Sequence, residues 1–218
     1  MVKGIQYAKD VVSGKILACQ WVKLACKRFL DDINSQDYYF DEKKYNTLTT
    51  FTGVMKHYSS GAAGKPFILE PWEDFIICNI FCLYRVDTRR RKYKTAHISV
   101  SRKNGKTTLA AALGLFSLIA DGEPASSVIM AANSREQAHI DFDAASSFAR
   151  QLDPRKKSLK VLRNEIVFQK NNASLKVISA DASTGDGLNP SMVILDELHE
   201  AVDSNLFDVL RSGQGFRE

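Results

Sequence analysis

Gly105, Lys106 and Thr107 stand in a row where an alternating segment gives way to an Ala/Leu-rich one. About 90 residues later Asp196 and Glu197 close the apolar run Met192-Val193-Ile194-Leu195. A glycine turn, an amine, a hydroxyl and two carboxylates are the groups needed to hold a polyphosphate and a hard cation. Backbone N–H groups around Gly105 can close on phosphate oxygens at a helix N-terminus, where the helix dipole also favours an anion. Lys106 then reaches the β- and γ-phosphates of a nucleoside triphosphate. Thr107 offers its hydroxyl to Mg²⁺, an ion that takes few protein ligands and completes its shell with phosphate oxygens and water. The match to G-x-x-x-x-G-K-[ST] is incomplete, because Val100 stands at the first glycine's position. The candidate nucleotide-binding segment therefore runs through Ser101, Arg102, Lys103, Asn104, Gly105, Lys106, Thr107 and Thr108, with a basic pair in the loop.

The acidic cluster divides the remaining chemistry. An apolar run preceded by Asn189-Pro190 reads as a buried central strand with its acids at the C-terminal tip. Ligands of open α/β sheets bind just outside that end of the strands, which sets Asp196 and Glu197 toward the phosphate loop. Asp196 is then the Mg²⁺ ligand beside Thr107, and Glu197 the base that orients and deprotonates an attacking water. An Asp-Glu pair after a strand also serves as a plain helix N-cap. Lys106, Arg102 and Glu197 are the candidate catalytic residues.

The elements that must position these groups follow from periodicity. Residues 5–34 read as one long helix that Gly14 can kink or split, with Val11, Ala18, Val22, Cys26, Phe29 and Ile33 on one face. A weaker helical pattern covers 41–58. The small residues and proline of 59–66 suggest a linker, and Pro71 opens an apolar helix that continues to about Tyr84. Then come a strand at 94–100, a helix at 106–120, a strand at 126–132 and a helix at 134–151. An antiparallel excursion through 159–179 and a strand at 191–195 complete the pattern. The fold class is α/β: a P-loop NTPase of the RecA/ASCE kind, with a mainly parallel sheet flanked by helices and an N-terminal helical extension. The organisation expected is a helical region over 1–60 and an ATPase domain over 61–218.

At 218 residues and 44% hydrophobic content the chain has enough apolar material for a packed core, and it is neither disordered nor fibrous. Cys19, Cys26, Cys78 and Cys82 fall at helical spacings and read as core thiols of a reducing compartment rather than disulfides or a zinc site. The four histidines are dispersed. No stretch is apolar enough for a membrane span, and the N-terminus lacks a signal peptide's apolar core. The formal net charge of +5 is modest. It is concentrated: Arg85, Arg89, Arg90, Arg91, Lys92, Lys94, Arg102, Lys103 and Lys106 share a short span with one acid, Asp87. That run reads either as a solvated loop or as a DNA-facing patch.

Taken together, the two motifs resemble the N-terminal ATPase region of a tailed-phage terminase large subunit, the motor that packages viral DNA. Ser-Arg-Lys-Asn-Gly-Lys-Thr-Thr at 101–108 resembles that family's variant phosphate loop, and Val-Ile-Leu-Asp-Glu-Leu-His-Glu at 193–200 its acidic motif. The segment 66–73 resembles its adenine-side segment, and 130–138 the strand-to-helix segment of terminases and helicases. Most of residues 60–200 is covered.

The resemblance implies ATP and Mg²⁺ as ligands and Arg102 as an arginine finger supplied by the same chain; a guanidinium's planar donors suit phosphate oxygens. It also implies Trp72 and Glu73 beside the adenine. Glu73 departs from the glutamine common there, since an ionised carboxylate can only accept a hydrogen bond; Trp72 equally suits a core position. The implied partners are double-stranded DNA, a portal protein and a small terminase subunit, in a homo-oligomeric ring in the bacterial host cytoplasm, with no membrane. The family continues with a coupling strand and a nuclease domain, so the expectation for this chain is a truncated or partial product that cleaves no DNA and hydrolyses ATP weakly. The rivals are a DExH helicase-like ATPase, which Asp196-Glu197-Leu198-His199 also fits, and a DNA-binding module whose loop has decayed. Asn104 before Gly105 and Arg102 in the loop speak against the helicase. Retention of Lys106, Thr107, Asp196 and Glu197 together speaks against decay.

Overall fold

The computed structural model describes residues 1–58, 60–179, 188–201 and 203–214. The chain divides into two compact units interleaved in sequence: residues 1–52 with 68–99, and residues 53–67 with 100–218. The boundary expected near residue 60 thus falls inside a short segment that goes with the second unit.

The first unit is mostly helical. The long helix expected over 5–34 is two, α1 (Lys3–Val12) and α2 (Gln20–Ile33). The break includes Gly14, whose φ of +82° lies in the left-handed region open to glycine. Helix α3 (Glu42–Gly53) is shorter than its periodicity suggested. Helix α4 (Pro71–Phe81) begins with proline at its first turn and a reciprocal capping box between Glu70 and Glu73. Strands β1 (Tyr38–Phe40) and β2 (Leu83–Arg85) pair antiparallel. Gly4 lets α1 approach α4 closely, since a Cβ there would stand 2.8 Å from the Asp74 carbonyl oxygen and from the Cys78 sulfur. Cys26, Cys78 and Cys82 are buried as expected, and burial pushes all three thiols up; Cys19 is exposed.

The strand expected at 94–100 does not form: residues 95–100 take no regular secondary structure. The alternation His97-Ile98-Ser99-Val100 is a sound strand pattern, but a strand exists only where a neighbour accepts its ladder of hydrogen bonds.

The second unit carries the sheet. Its strands are β3 (Ser127–Ala132), β4 (Leu159–Val161), β5 (Glu165–Phe168), β6 (Ala173–Ser179) and β7 (Met192–Leu195), in the order β4-β5-β6-β3-β7. Only β6-β3 and β3-β7 are parallel, while β4-β5 and β5-β6 are antiparallel. The sheet is therefore mixed rather than mainly parallel, because the excursion through 159–179 joins it by two hairpin-type pairings and returns as a parallel member. Among the described residues β7 is an edge strand and only half-buried, not the buried central strand its composition suggested.

Helix α5 (Lys106–Ile119) packs on one face of this sheet, where Gly114 lies against Leu175, Ile194 and Val128. Helix α6 (Arg135–Leu152) lies beside α5. Helix α7 (Asn205–Gly213) covers the opposite face, its Leu210 and Leu206 meeting Ile129, Ala131, Ile178, Val193 and Leu195. The alternation of Val128 with Ile129 along β3 is what feeds both layers. The segment 53–67 is no loose linker. His57 N donates to the Lys65 carbonyl and Phe67 N to that of Met55, closing a turn, and Phe67 packs its ring on Phe148 of α6.

Candidate active site

Helix α5 starts at the glycine that the phosphate-loop pattern demands. Gly105 is its N-cap, with φ 75°, and no side chain caps the first-turn amides. The contrast with α6 is informative, since there the Ser134 hydroxyl accepts from Gln137 N at 3.2 Å. An uncapped N-terminus leaves donors and the positive dipole end for an anion. The loop before it is closed by Asn104, whose amide donates to the Ser101 hydroxyl at 2.7 Å and to the Ser101 carbonyl at 3.1 Å. Lys103 adopts a left-handed backbone, φ 66°, without being glycine. Ser101, Arg102, Lys103 and Asn104 are exposed, whereas Lys106, Thr107 and Thr108 are half-buried on the first turn of α5.

Strand β7 delivers the acids to the same place. It runs parallel to β3 with Leu195 opposite Ala131, so both strands end together, and Asp196 N donates to the Ala131 carbonyl at 3.0 Å. Asn133, just past the end of β3, donates its amide to the Glu197 carbonyl at 2.9 Å. Glu197 itself is held at φ 50°, a conformation costly for a residue with a Cβ and typical of backbone fixed by its surroundings. The Asp196 Oδ1 atom accepts from Glu197 N at 2.8 Å.

The decisive contact joins the two motifs. Lys106 Nζ donates to Glu197 Oε1 at 3.0 Å across 91 residues of sequence. His199 Nδ1 stands 3.2 Å from the other oxygen, Oε2. The Lys106 hydrogen bond holds the Glu197 carboxyl below its ordinary value; burial opposes it, and nearby positive charge, that of Lys106 first, adds to the lowering.

Sequence reading missed Asp141. This α6 residue is 2% exposed, and its Oδ1 accepts at 3.2 Å from Gln137 Nε2, which also donates to Asp196 Oδ2 at 3.4 Å. Burial raises its affinity for a proton, and the neighbouring Asp196 charge raises it further. The only available signal was Gln137 four residues earlier on the same helical face.

Trp72 and Glu73 belong to the first unit. Trp72 is half-buried, and Glu73 is buried with its carboxylate Oε2 accepting from Glu70 N at 2.8 Å. Glu73 is thereby committed to closing the capping box. The basic run is also engaged with its surroundings: Arg85 Nε bonds Asp87 at 3.1 Å, Lys92 pairs with Asp32, and Arg91 lies 4.6 Å over the Phe81 ring.

Among the described residues no group of three or more His, Cys, Asp or Glu forms a metal cage. The Asp196 carboxylate past the end of β7 and the Thr107 hydroxyl on the first turn of α5 are hard oxygen donors of the kind used by a cation that draws most of its ligands from phosphate and water, as Mg²⁺ does. None of the described helices is long and apolar enough to cross a membrane.

Comparison with known proteins gives the family and the fold. The large terminase subunit of Enterobacteria phage HK97 is 29% identical over 162 residues, covering 71% of this chain and 31% of that protein. The crystal structure of the HK97 bacteriophage large terminase superposes with a TM-score of 0.64 at 24% identity, over 80% of this chain and 36% of that one, a likeness of fold. This chain therefore spans about a third of the length of the relatives it matches. Residues 71–217 match the family described as terminase large subunit, ATPase domain, which decides between the packaging and helicase resemblances: the chain belongs to the phage terminase large-subunit ATPase family.

Proposed function

We propose that this chain is the ATP-hydrolysing part of a phage DNA-packaging motor, using Mg²⁺ and working on double-stranded DNA with portal and small-subunit partners. The observation that carries the catalytic reading is the 3.0 Å contact between Lys106 and Glu197. It supports that reading because Lys106 and Glu197, the two groups proposed for phosphate binding and for the base, meet between the N-terminus of α5 and the tip of β7. The uncapped amides of α5 and Lys106 receive the β- and γ-phosphates, so Lys106 exchanges its carboxylate partner for phosphate oxygens when nucleotide enters. Asp196 and Thr107 would hold the cation, which when bound neutralises the phosphate charge.

Released from Lys106, Glu197 orients a water in line with the γ-phosphorus and accepts its proton. A bond forms from the water oxygen to phosphorus as the bond to the β,γ-bridging oxygen breaks, giving ADP and inorganic phosphate. Arg102, on the exposed loop, stabilises the charge on the transferring group. Its part is electrostatic, and groups of this kind are worth about 10³–10⁵ in rate. Coupling of this hydrolysis to DNA translocation into a procapsid is the part of the proposal that draws on family membership.

Glu197→Gln tests it. Turnover should fall about 10²–10⁴-fold, the range for removing a positioned base, while ATP affinity by calorimetry stays within about threefold of the parent. Equal losses in binding and turnover would reduce Glu197 to a structural residue.

A further inference from the structure

We propose that Gln137 and Asp141 form a positioning layer behind Asp196, holding its carboxylate in the orientation a divalent cation requires. The proposal rests on the reading of the phosphate site above and adds two residues to it that neither nucleotide motif contains.

The geometry is specific. Gln137 and Asp141 are four residues apart on α6, so their side chains share one face. Gln137 Nε2 donates both to Asp141 Oδ1 at 3.2 Å and to Asp196 Oδ2 at 3.4 Å. Asp141 is 2% exposed and is linked to Asp196 through this shared Gln137 amide. The second Asp196 oxygen is taken by Glu197 N at 2.8 Å. Asp196 is therefore tied on one side to its own strand tip and on the other to α6. The tie fixes a carboxylate that would otherwise rotate about its last torsion.

The chemistry argues for a cation rather than for packing. A carboxyl group buried on a helix is costly to desolvate unless a polar partner faces it, and here the polar partner, Gln137, is shared with Asp196. Besides Gln137, the buried residues next to Asp141 along α6 are Ala138, Phe142, Ala144 and Ala145, all apolar. A cation at Asp196 gives the second acid a favourable partner. Groups behind ligating carboxylates orient them and tune affinity, and losing one typically weakens metal binding about 10–100-fold.

The test uses the whole chain with ADP and titrates Mn²⁺, counting free Mn²⁺ by electron paramagnetic resonance. Nucleotide affinity is measured separately in EDTA with a fluorescent ADP, and Tm is measured without metal. Asp141→Asn keeps the side-chain shape and an oxygen that can accept from Gln137; Gln137→Ala changes a half-buried residue. Both should weaken Mn²⁺ binding about tenfold or more. ADP affinity in EDTA should stay within about twofold, and the metal-free Tm should be unchanged or, for Asp141→Asn, raised. Mn²⁺ affinity within about twofold of the parent in either variant overturns the proposal. So does an equal loss of ADP affinity in EDTA, which would mean that α6 merely supports the fold. If the parent chain with ADP takes up no Mn²⁺, the phosphate-site reading fails and this layer with it, an outcome distinct from variants that bind as well as the parent.

Discussion

The chain contains two adjacent acidic pairs, Glu73-Asp74 and Asp196-Glu197, and their partners separate them. Glu73 and Asp74 are buried on the first turn of α4, and among the described residues the donors that reach them are uncharged. Glu73 takes Glu70 N at 2.8 Å, and Asp74 takes Gly4 N at 2.7 Å, the Tyr45 hydroxyl at 3.1 Å and the Cys78 thiol at 3.7 Å. Asp196 and Glu197 are half-buried at a strand tip, and Glu197 faces an ammonium and an imidazole. The first pair is finished: each hydrogen bond is fixed by backbone or by a packed side chain. The second pair is held differently: Glu197 is met by Lys106, a long flexible cation that, on the function proposed above, would leave it for phosphate. Adjacent acids alone say little; the charge and mobility of what they touch distinguish structure from chemistry.

The largest effect expected on either side of this contrast comes from Lys106→Ala. It should reduce ATP turnover by at least about 10³-fold, on the scale of removing a group that stabilises a transferring phosphoryl, and leave the circular dichroism spectrum unchanged. Parental turnover would show that the second pair is as structural as the first.

Asp74→Ala should act on stability, at about 3 kcal/mol, because it strands the Gly4 N–H and the Tyr45 hydroxyl in a buried setting. Denaturant melts measure this, and a loss under 1 kcal/mol would mean the network is dispensable. The same residue sets a pH dependence. Burial raises the Asp74 pKa, the hydrogen bonds opposing it only in part. The folded state therefore holds that proton more tightly than the unfolded one. Its contribution is complete below the unfolded value near pH 4 and is lost as pH rises through the folded value. Asp74→Asn should flatten that decline in stability, and an unchanged slope would assign it to other groups.

The smallest effect belongs to Glu73→Ala, which breaks the capping box and should cost about 1 kcal/mol. A much larger loss of ATP affinity in that variant would restore Glu73 to a nucleotide-facing role and blur the contrast.

What was legible in the sequence is what local spacing encodes. Gly105-Lys106-Thr107 and Asp196-Glu197 could be assigned because each motif sits on one turn or one strand tip, and the helices and strands flanking them have clean periods. Helix α5 and strand β3 came within a residue of expectation at either end for the same reason. Asp141 was invisible, since its meaning depends on α6 packing beside the tip of β7, a contact between residues 55 positions apart. The strand expected at 94–100 shows the converse failure: His97 to Val100 carry the right pattern, but pairing is decided by neighbours, not by the segment itself. Parallel and antiparallel partners of β6 likewise look identical in composition. Glu73 was read for its chemistry, whereas its three-residue spacing from Glu70 already encoded a cap.

The interleaving of the two units has a consequence for how the chain comes to be folded. Residues 53–67 belong with a unit whose other residues begin at 100, and Lys56 exchanges two hydrogen bonds with Gln151, 95 positions later. On the ribosome, at about 5–20 residues per second, that segment waits on the order of 5–20 s for its partner helix. The first unit is likewise incomplete until α4 and the residues up to 99 have emerged. Neither unit can be excised as one continuous stretch, so each matures around a loop that the other has to spare.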